Sequence, residues 1–174
     1  ERINTFTPTR GDIIIGSYIG RPDSEDIYNE TVLDLAEFCN GEDLFENDRG
    51  DLYKYAKRNK RLHLLADEPD FKWKSELAGK YGRNKGITMT PKRKDNGVIY
   101  LRDWLNAPRS YNDETGETIR NFHYIYDEGL LKEVQRFNRT GNFDRISTLI
   151  VGQYDIKEVF DKEIKVEREI KRDS

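Results

Sequence analysis

Residues 43–69 read DLFENDRGDLYKYAKRNKRLHLLADEP, and the order of elements in this stretch decides the fold class. Asp43–Glu46 is a short apolar run ending in a carboxylate, followed by the turn-forming Asn47-Asp48-Arg49-Gly50. Leu52, Tyr53, Tyr55 and Ala56 then recur at helical spacing. Leu62–Ala66 is an unbroken apolar run, the pattern of a strand covered on both faces, and Asp67-Glu68-Pro69 stops it. The stretch therefore predicts strand, helix, strand, with Glu46 at a strand's carboxyl end. Toward the N-terminus, Asp12–Arg21 (DIIIGSYIGR) reads as a further strand. Asp23-Ser24 offers a helix cap, and Ile27, Tyr28, Val32, Leu35, Ala36, Phe38 and Cys39 continue an amphipathic helix to Asn40-Gly41. The order β-α-β-α-β predicts an α/β fold with a partly parallel sheet, whose functional residues lie at the carboxyl ends of strands.

Toward the C-terminus, residues 70–97 hold few periodic apolar positions and many Lys, Arg, Gly and Asn, which predicts a long loop or flexible β-hairpin. Val98–Leu105 reads as helix, 106–118 as turns and Ile119–Tyr126 as a strand. Leu130, Leu131, Val134 and Phe137 mark another helix, ended by Asn138 to Gly141. Asn142–Gln153 is the last core helix, with Ile146, Leu149 and Ile150 on one face and Asp144 projecting from its first turn. Residues 161–174 are nearly all charge and are expected to fray or to form a solvated helix, as a tail on a single domain spanning 1–160. There are no internal repeats.

The 174 residues amount to one domain, and no apolar run approaches the ~18 residues of a membrane span. The hydrophobic set is 35% and the charged set 36%, so the core must be lean, while 11% aromatics argue for a chain that collapses. A single cysteine, Cys39, excludes an intramolecular disulfide, and two histidines, His63 and His123, are too few for a Cys/His zinc cluster. A metal here would sit on oxygen ligands. The sequence opens on Glu1 without a signal-peptide pattern, as expected for a piece of a longer intracellular protein.

Net charge is −3, but it is segregated: 4 basic and 13 acidic residues in 1–53, 15 and 6 in 54–109, 11 and 14 in 110–174. A basic middle between acidic ends suits a phosphate-binding track beside a carboxylate metal pocket, and equally suits three solvated surfaces. Two carboxylates at element boundaries stand out, Glu46 in LFENDRG and Asp144 in GNFDRISTLI. Two such groups brought together can hold a pair of Mg²⁺ or Mn²⁺ ions about 4 Å apart, the arrangement that hydrolyses phosphodiesters. Asp67, ending LHLLA, is a candidate auxiliary ligand or a turn cap before Pro69.

The runs YIGRPDSEDIY (18–28), LFENDRG (44–50), LHLLADEP (62–69), KGITMTPKRKDNG (85–97) and GLLKEVQRFNRTGNFDRISTLI (129–150) carry a resemblance across most of the chain. Together they resemble the nuclease domain of the large terminase subunit of tailed bacteriophages, in particular of crAss-like phages. The resemblance implies a ribonuclease H-like mixed sheet flanked by helices, and cleavage of concatemeric double-stranded viral DNA with two Mg²⁺ or Mn²⁺ ions. It implies Glu46 and Asp144 as the second and third acidic positions of the family. The first falls on an opening strand that has no counterpart in residues 1–11. It further implies an ATPase domain in the same parent chain, the portal and small terminase subunit as partners, and the host cytoplasm as location. Another ribonuclease H-like nuclease, such as a junction resolvase or integrase, and an inactive DNA-binding or assembly module are the alternatives.

For the DNA itself, Lys85, Lys92, Arg93 and Lys94 on the 80–97 segment are candidate phosphate contacts. Lys54, Arg58 and Arg61, aligned with Lys57 along one side of the helix after Glu46, are the second candidate track. Trp73 and Trp104 read as packing residues before stacking ones, and His63, His123 and Cys39 read as structural. A Ser/His/Asp or Cys/His hydrolase is unsupported, and there is no GxxxxGK[ST] loop for an ATPase.

Overall fold

In the computed structural model of the chain, residues 4–6, 9–10, 13–48, 50–69, 85–138 and 141–170 are described. Ser24 opens the first helix, α1 (Glu25–Phe38): its side chain accepts the Ile27 N–H, and Glu25 and Asp26 complement the positive end of the helix. The helix closes on a left-handed Asn40, with Asn40 N–H bonding the Glu37 carbonyl and Gly41 N–H the Ala36 carbonyl. Helix α2 (Leu52–Arg58) ends in the same way on Lys60, at φ 59°, with Arg61 N–H on the Ala56 carbonyl. Helix α3 (Pro91–Asn106) starts at Thr90, whose hydroxyl accepts the Arg93 N–H, with Pro91 in the first helical position. Asp127 caps α4 (Glu128–Arg136), accepting from Gly129 and Leu130, and α5 (Asp144–Ile170) is the last described element.

The strands are short and pair antiparallel in twos: β1 (Asn4–Phe6) with β4 (Tyr18–Gly20), β2 (Thr9–Arg10) with β3 (Ile13–Ile14), and β5 (Pro108–Tyr111) with β6 (Thr118–Arg120). The chain is thus mixed α/β. Between these pairs, three further segments meet through single β-bridges of mixed direction. Asp43 pairs parallel with Leu65, Glu46 parallel with Ile87, and Asp67 antiparallel with Lys85.

The apolar side chains form two clusters, and the 43–47 segment lies between them. One joins Ile87 and Met89 to the inner faces of α3, α4 and α5; the other joins α1, α2, Leu64 and Leu65. Leu44 packs on the first and Phe45 on the second, as the two-residue period of an extended chain requires. Two glycines permit close approaches that a side chain would block. Gly86 has φ 74°, and a Cβ there would meet the Phe45 carbonyl oxygen at 2.7 Å. A Cβ on Gly97 would lie 2.5 Å from Ile150 Cγ2, so α3 and α5 touch at that turn.

Several sequence-based elements differ. Asp12–Arg21 does not form one strand: β3 and β4 flank Ile15–Ser17 and pair with different partners. Leu62–Leu64 is a 3₁₀ turn and only Leu65 makes a bridge, because the left-handed Lys60 at the end of α2 leads directly into another helical turn. The expected loop over 70–97 gives way to α3 from Pro91, while 70–84 and the Trp73 reading lie outside the described residues. The turn-rich 106–118 segment contains β5, and the strand expected over Ile119–Tyr126 stops at Arg120 in a 3₁₀ turn, Asn121–Tyr124. Over the charged tail the helical alternative holds, and α5 runs past the expected end at Gln153 without a break to Ile170. His63 is exposed rather than buried, and Trp104 is a core residue.

Candidate functional site

Glu46 stands where the 43–47 segment meets the 85–88 segment. Ile87 N–H bonds the Phe45 carbonyl at 2.8 Å and Asn47 N–H bonds the Ile87 carbonyl at 3.1 Å, so the Glu46 backbone is held on both sides by one residue. The Asn47 amide reinforces the join, its Nδ2 donating to the Lys85 carbonyl and its Oδ1 accepting the Thr88 hydroxyl at 2.7 Å. Glu46 is half-buried. Leu44, two residues before it, packs against the cluster that contains its bridge partner Ile87 and also Ile146, two residues into α5 from Asp144.

Asp144 is the first residue of α5, half-buried, a position where a carboxylate also favours the helix by its charge. Next to it, the Ile146 N–H donates to Glu133 of α4, and Arg145 lies 3.8 Å from both Asp127 and Glu133. The turn bearing Asp144 is thereby tied to α4. Both candidate ligands border one core cluster, each on an element fixed by hydrogen bonds.

Asp67 and Lys85 face each other across the antiparallel bridge at 3.0 Å, and Lys85 Nζ also donates to the Leu65 carbonyl. Asp67 is therefore paired with a cation, and Lys85 is turned inward to it. Among the described residues no three His, Cys, Asp or Glu side chains gather as a group that could hold a metal ion.

The basic candidates separate into two kinds. Just beyond α2, Arg61 is 16% exposed and reaches three carboxylates of α1, Glu30 at 3.2 Å, Asp34 at 2.9 Å and Glu37 at 2.7 Å. Burial pulls its pKa down, and the three carboxylates outweigh that and hold it above its ordinary value. Arg58 pairs with Asp26 at 3.3 Å and lies over the Tyr55 ring, and Lys54 pairs with Asp51 at 2.8 Å on the surface. Arg61 is thus turned to the acidic side of α1, while Lys54, Lys57 and Arg58 remain exposed to solvent. Lys92 and Lys94, by contrast, are exposed on the first turn of α3, whereas Arg93 between them turns inward. Its guanidinium donates to the Thr88 carbonyl and pairs with Glu68 at 2.8 Å.

Two residues that the sequence does not single out matter here. Asp43 is fully enclosed, and burial pushes its carboxyl up to about 7. Asn47 clamps the segment carrying Ile87. The side-chain amide following a strand-end Glu is visible in LFENDRG, but its partner 41 residues away is not.

No family model, no curated protein and no solved structure matches the chain. No helix among the described residues is long and apolar enough to cross a membrane.

Proposed function

We propose that this chain is a divalent-cation-dependent DNA endonuclease domain of the kind that cuts concatemeric double-stranded DNA during phage genome packaging, with Glu46 and Asp144 as metal-holding carboxylates. One observation carries the reading: the strand-end segment of Glu46 and the first turn of α5 bearing Asp144 border the same core cluster, through Leu44 and Ile87 on one side and Ile146 on the other. An all-oxygen donor set of half-buried carboxylates suits Mg²⁺ or Mn²⁺. The bound ions would supply an activated water and stabilise the leaving oxygen. Asp67 fits a ligand role less well, since Lys85 already neutralises it. The mixed directions of the bridges at 43, 46 and 67 support the finer, ribonuclease H-like assignment of the α/β fold.

Lys92 and Lys94, five and seven residues beyond the bridge partner of Glu46, are the phosphate contacts this reading favours. In the parent protein the domain would act beside an ATPase domain, with portal and small terminase subunit as partners, in the host cytoplasm. The test is nicking of supercoiled plasmid by the full-length protein with Mn²⁺. Glu46→Gln and Asp144→Asn should each abolish nicking while leaving duplex affinity nearly unchanged, and cleavage retained by either variant removes that residue from the mechanism. Duplex binding with a steep salt dependence and no nicking by the unaltered protein would make the chain a binding module instead.

A further inference from the structure

The chain holds two Asn-Gly pairs, Asn40-Gly41 and Asn96-Gly97, and the fold sets them in opposite surroundings. Such a pair is open to attack on itself, because the glycine nitrogen can approach the asparagine side-chain carbonyl carbon with no Cβ in the way. Asn96-Gly97 lies inside α3, where Gly97 is buried and a Cβ on it would meet Ile150 of α5 at 2.5 Å. Its backbone cannot turn unless the helix interior opens. Asn40-Gly41 instead closes α1, and both residues are exposed. Asn40 holds the left-handed φ of 50°, and the Gly41 N–H is engaged only by the helix-end bond to the Ala36 carbonyl at 2.9 Å. Bonds at helix ends open first. Gly41 itself is not required by the backbone: its φ lies outside the left-handed region, and a Cβ on it would meet nothing within 4 Å.

We infer that Asn40-Gly41 is a site of spontaneous deamidation, a covalent modification whose only co-reactant is water, and that the surrounding helix protects Asn96-Gly97 from the same reaction. When the last turn of α1 opens, the Gly41 nitrogen gives its proton to solvent and forms a bond to Asn40 Cγ. The Cγ–Nδ2 bond breaks, and the amide nitrogen leaves as ammonia, taking up a proton from solvent. Water then opens the cyclic imide at either carbonyl, which leaves an aspartyl or an isoaspartyl residue at position 40. Both products place a carboxylate at the negative end of α1, an unfavourable position for it. The isoaspartyl product also adds one carbon to the main chain three residues before Asp43, whose backbone is held by Leu64 and Ala66. With the chain lengthened there, the bond from Gly41 to Ala36 is lost. None of this depends on the nuclease reading of Glu46 and Asp144.

The experiment ages the full-length protein in neutral buffer, folded and in urea, and follows both pairs by peptide mass spectrometry, with enzymatic methyl labelling of isoaspartyl carboxylates as a second readout. In the folded protein the peptide carrying Asn40 should gain the mass of an amide-to-acid change and take up label. The peptide carrying Asn96 should convert at least about 10-fold more slowly, since its reaction waits on opening of a packed helix. In urea the two pairs should convert at similar rates, because only the fold distinguishes them. Gly41→Ala puts a methyl group beside the attacking nitrogen, in open space and at an ordinary φ. It should keep the circular dichroism of the wild type and lose most of the conversion at position 40. Equal rates for the two pairs in the folded protein, no conversion at position 40, or wild-type conversion in folded Gly41→Ala overturns the inference. The comparison of the two pairs needs no variant, so it decides the matter even where Gly41→Ala unfolds.

Discussion

Replacing Asp43 with Asn should stabilise the protein at neutral pH and remove a pH dependence that the wild type carries. The carboxyl is buried, its backbone pairs with Leu65, and desolvation lifts its pKa from 3.8 to about 7. A carboxyl whose folded pKa is raised binds its proton more tightly in the folded state. Its contribution is therefore fully present below the unfolded pKa and is lost as pH rises through the folded one. The window runs from 3.8 to about 7, a displacement of about 3 units. At ~1.36 kcal/mol per unit this is ~4 kcal/mol in total, against a domain stability of ~5–15 kcal/mol. From pH 5 to pH 8 the part still to be lost is about 2–3 kcal/mol. Asn has nearly the same shape and does not ionise. Urea titrations at pH 5, 6, 7 and 8 should thus show the wild type losing about 2–3 kcal/mol relative to Asp43→Asn, with the slopes in urea unchanged. Two stability profiles running parallel across that range would refute the argument, because they would mean that Asp43 ionises alike in both states.

Gly97→Ala should destabilise by about 1–2 kcal/mol despite the better helix propensity of Ala, because the new methyl meets Ile150 Cγ2 at 2.5 Å; urea denaturation measures it. Arg61→Gln should cost about 1–2 kcal/mol, since it leaves Glu30, Asp34 and Glu37 facing one another along α1, and the loss should shrink at high salt. The same variant should leave the salt dependence of duplex binding unaltered, which a filter-binding series checks.

Helix positions were legible in the sequence wherever a cap and an apolar period occurred together. Ser24 before Ile27, Tyr28 and Val32 placed α1 within a residue or two, and Ile146, Leu149 and Ile150 placed the last core helix from Asn142, two residues before α5 begins at Asp144. The start of α3 was less legible because Lys92–Asn96 has no apolar period, although Thr90-Pro91 is itself a cap followed by a first-turn proline. LHLLA misleads for the opposite reason. An uninterrupted apolar run carries no period at all, so only the tertiary context, here the tight end of α2, decides between strand and helical turn. For the site, the local settings of Glu46 and Asp144 could be read, one after an extended run and one at a helix start. Their relation could not, because it passes through Ile87, 41 residues beyond Glu46, and no local pattern encodes that pairing.

The charge segregation along the chain has a similar lesson. An acidic block followed by a basic block suggests an external polyanion, since like charges gathered in sequence are expected to gather in space. Folding instead lays part of one block on the other, as Asp26, Glu30, Asp34 and Glu37 of α1 meet Arg58 of α2 and Arg61 just beyond it, and within the basic block Lys85 and Arg93 meet Asp67 and Glu68. These basic groups hold elements together, and their field at a distance is largely cancelled by the neighbouring carboxylates. On the proposed reading, long-range attraction of a duplex would therefore fall to cations that project outward, of which Lys92 and Lys94 lie nearest in sequence to the bridge at Ile87. Steering by so small a group would bring DNA to the molecule without holding it tightly, so affinity at physiological salt would have to draw on contacts beyond these two lysines.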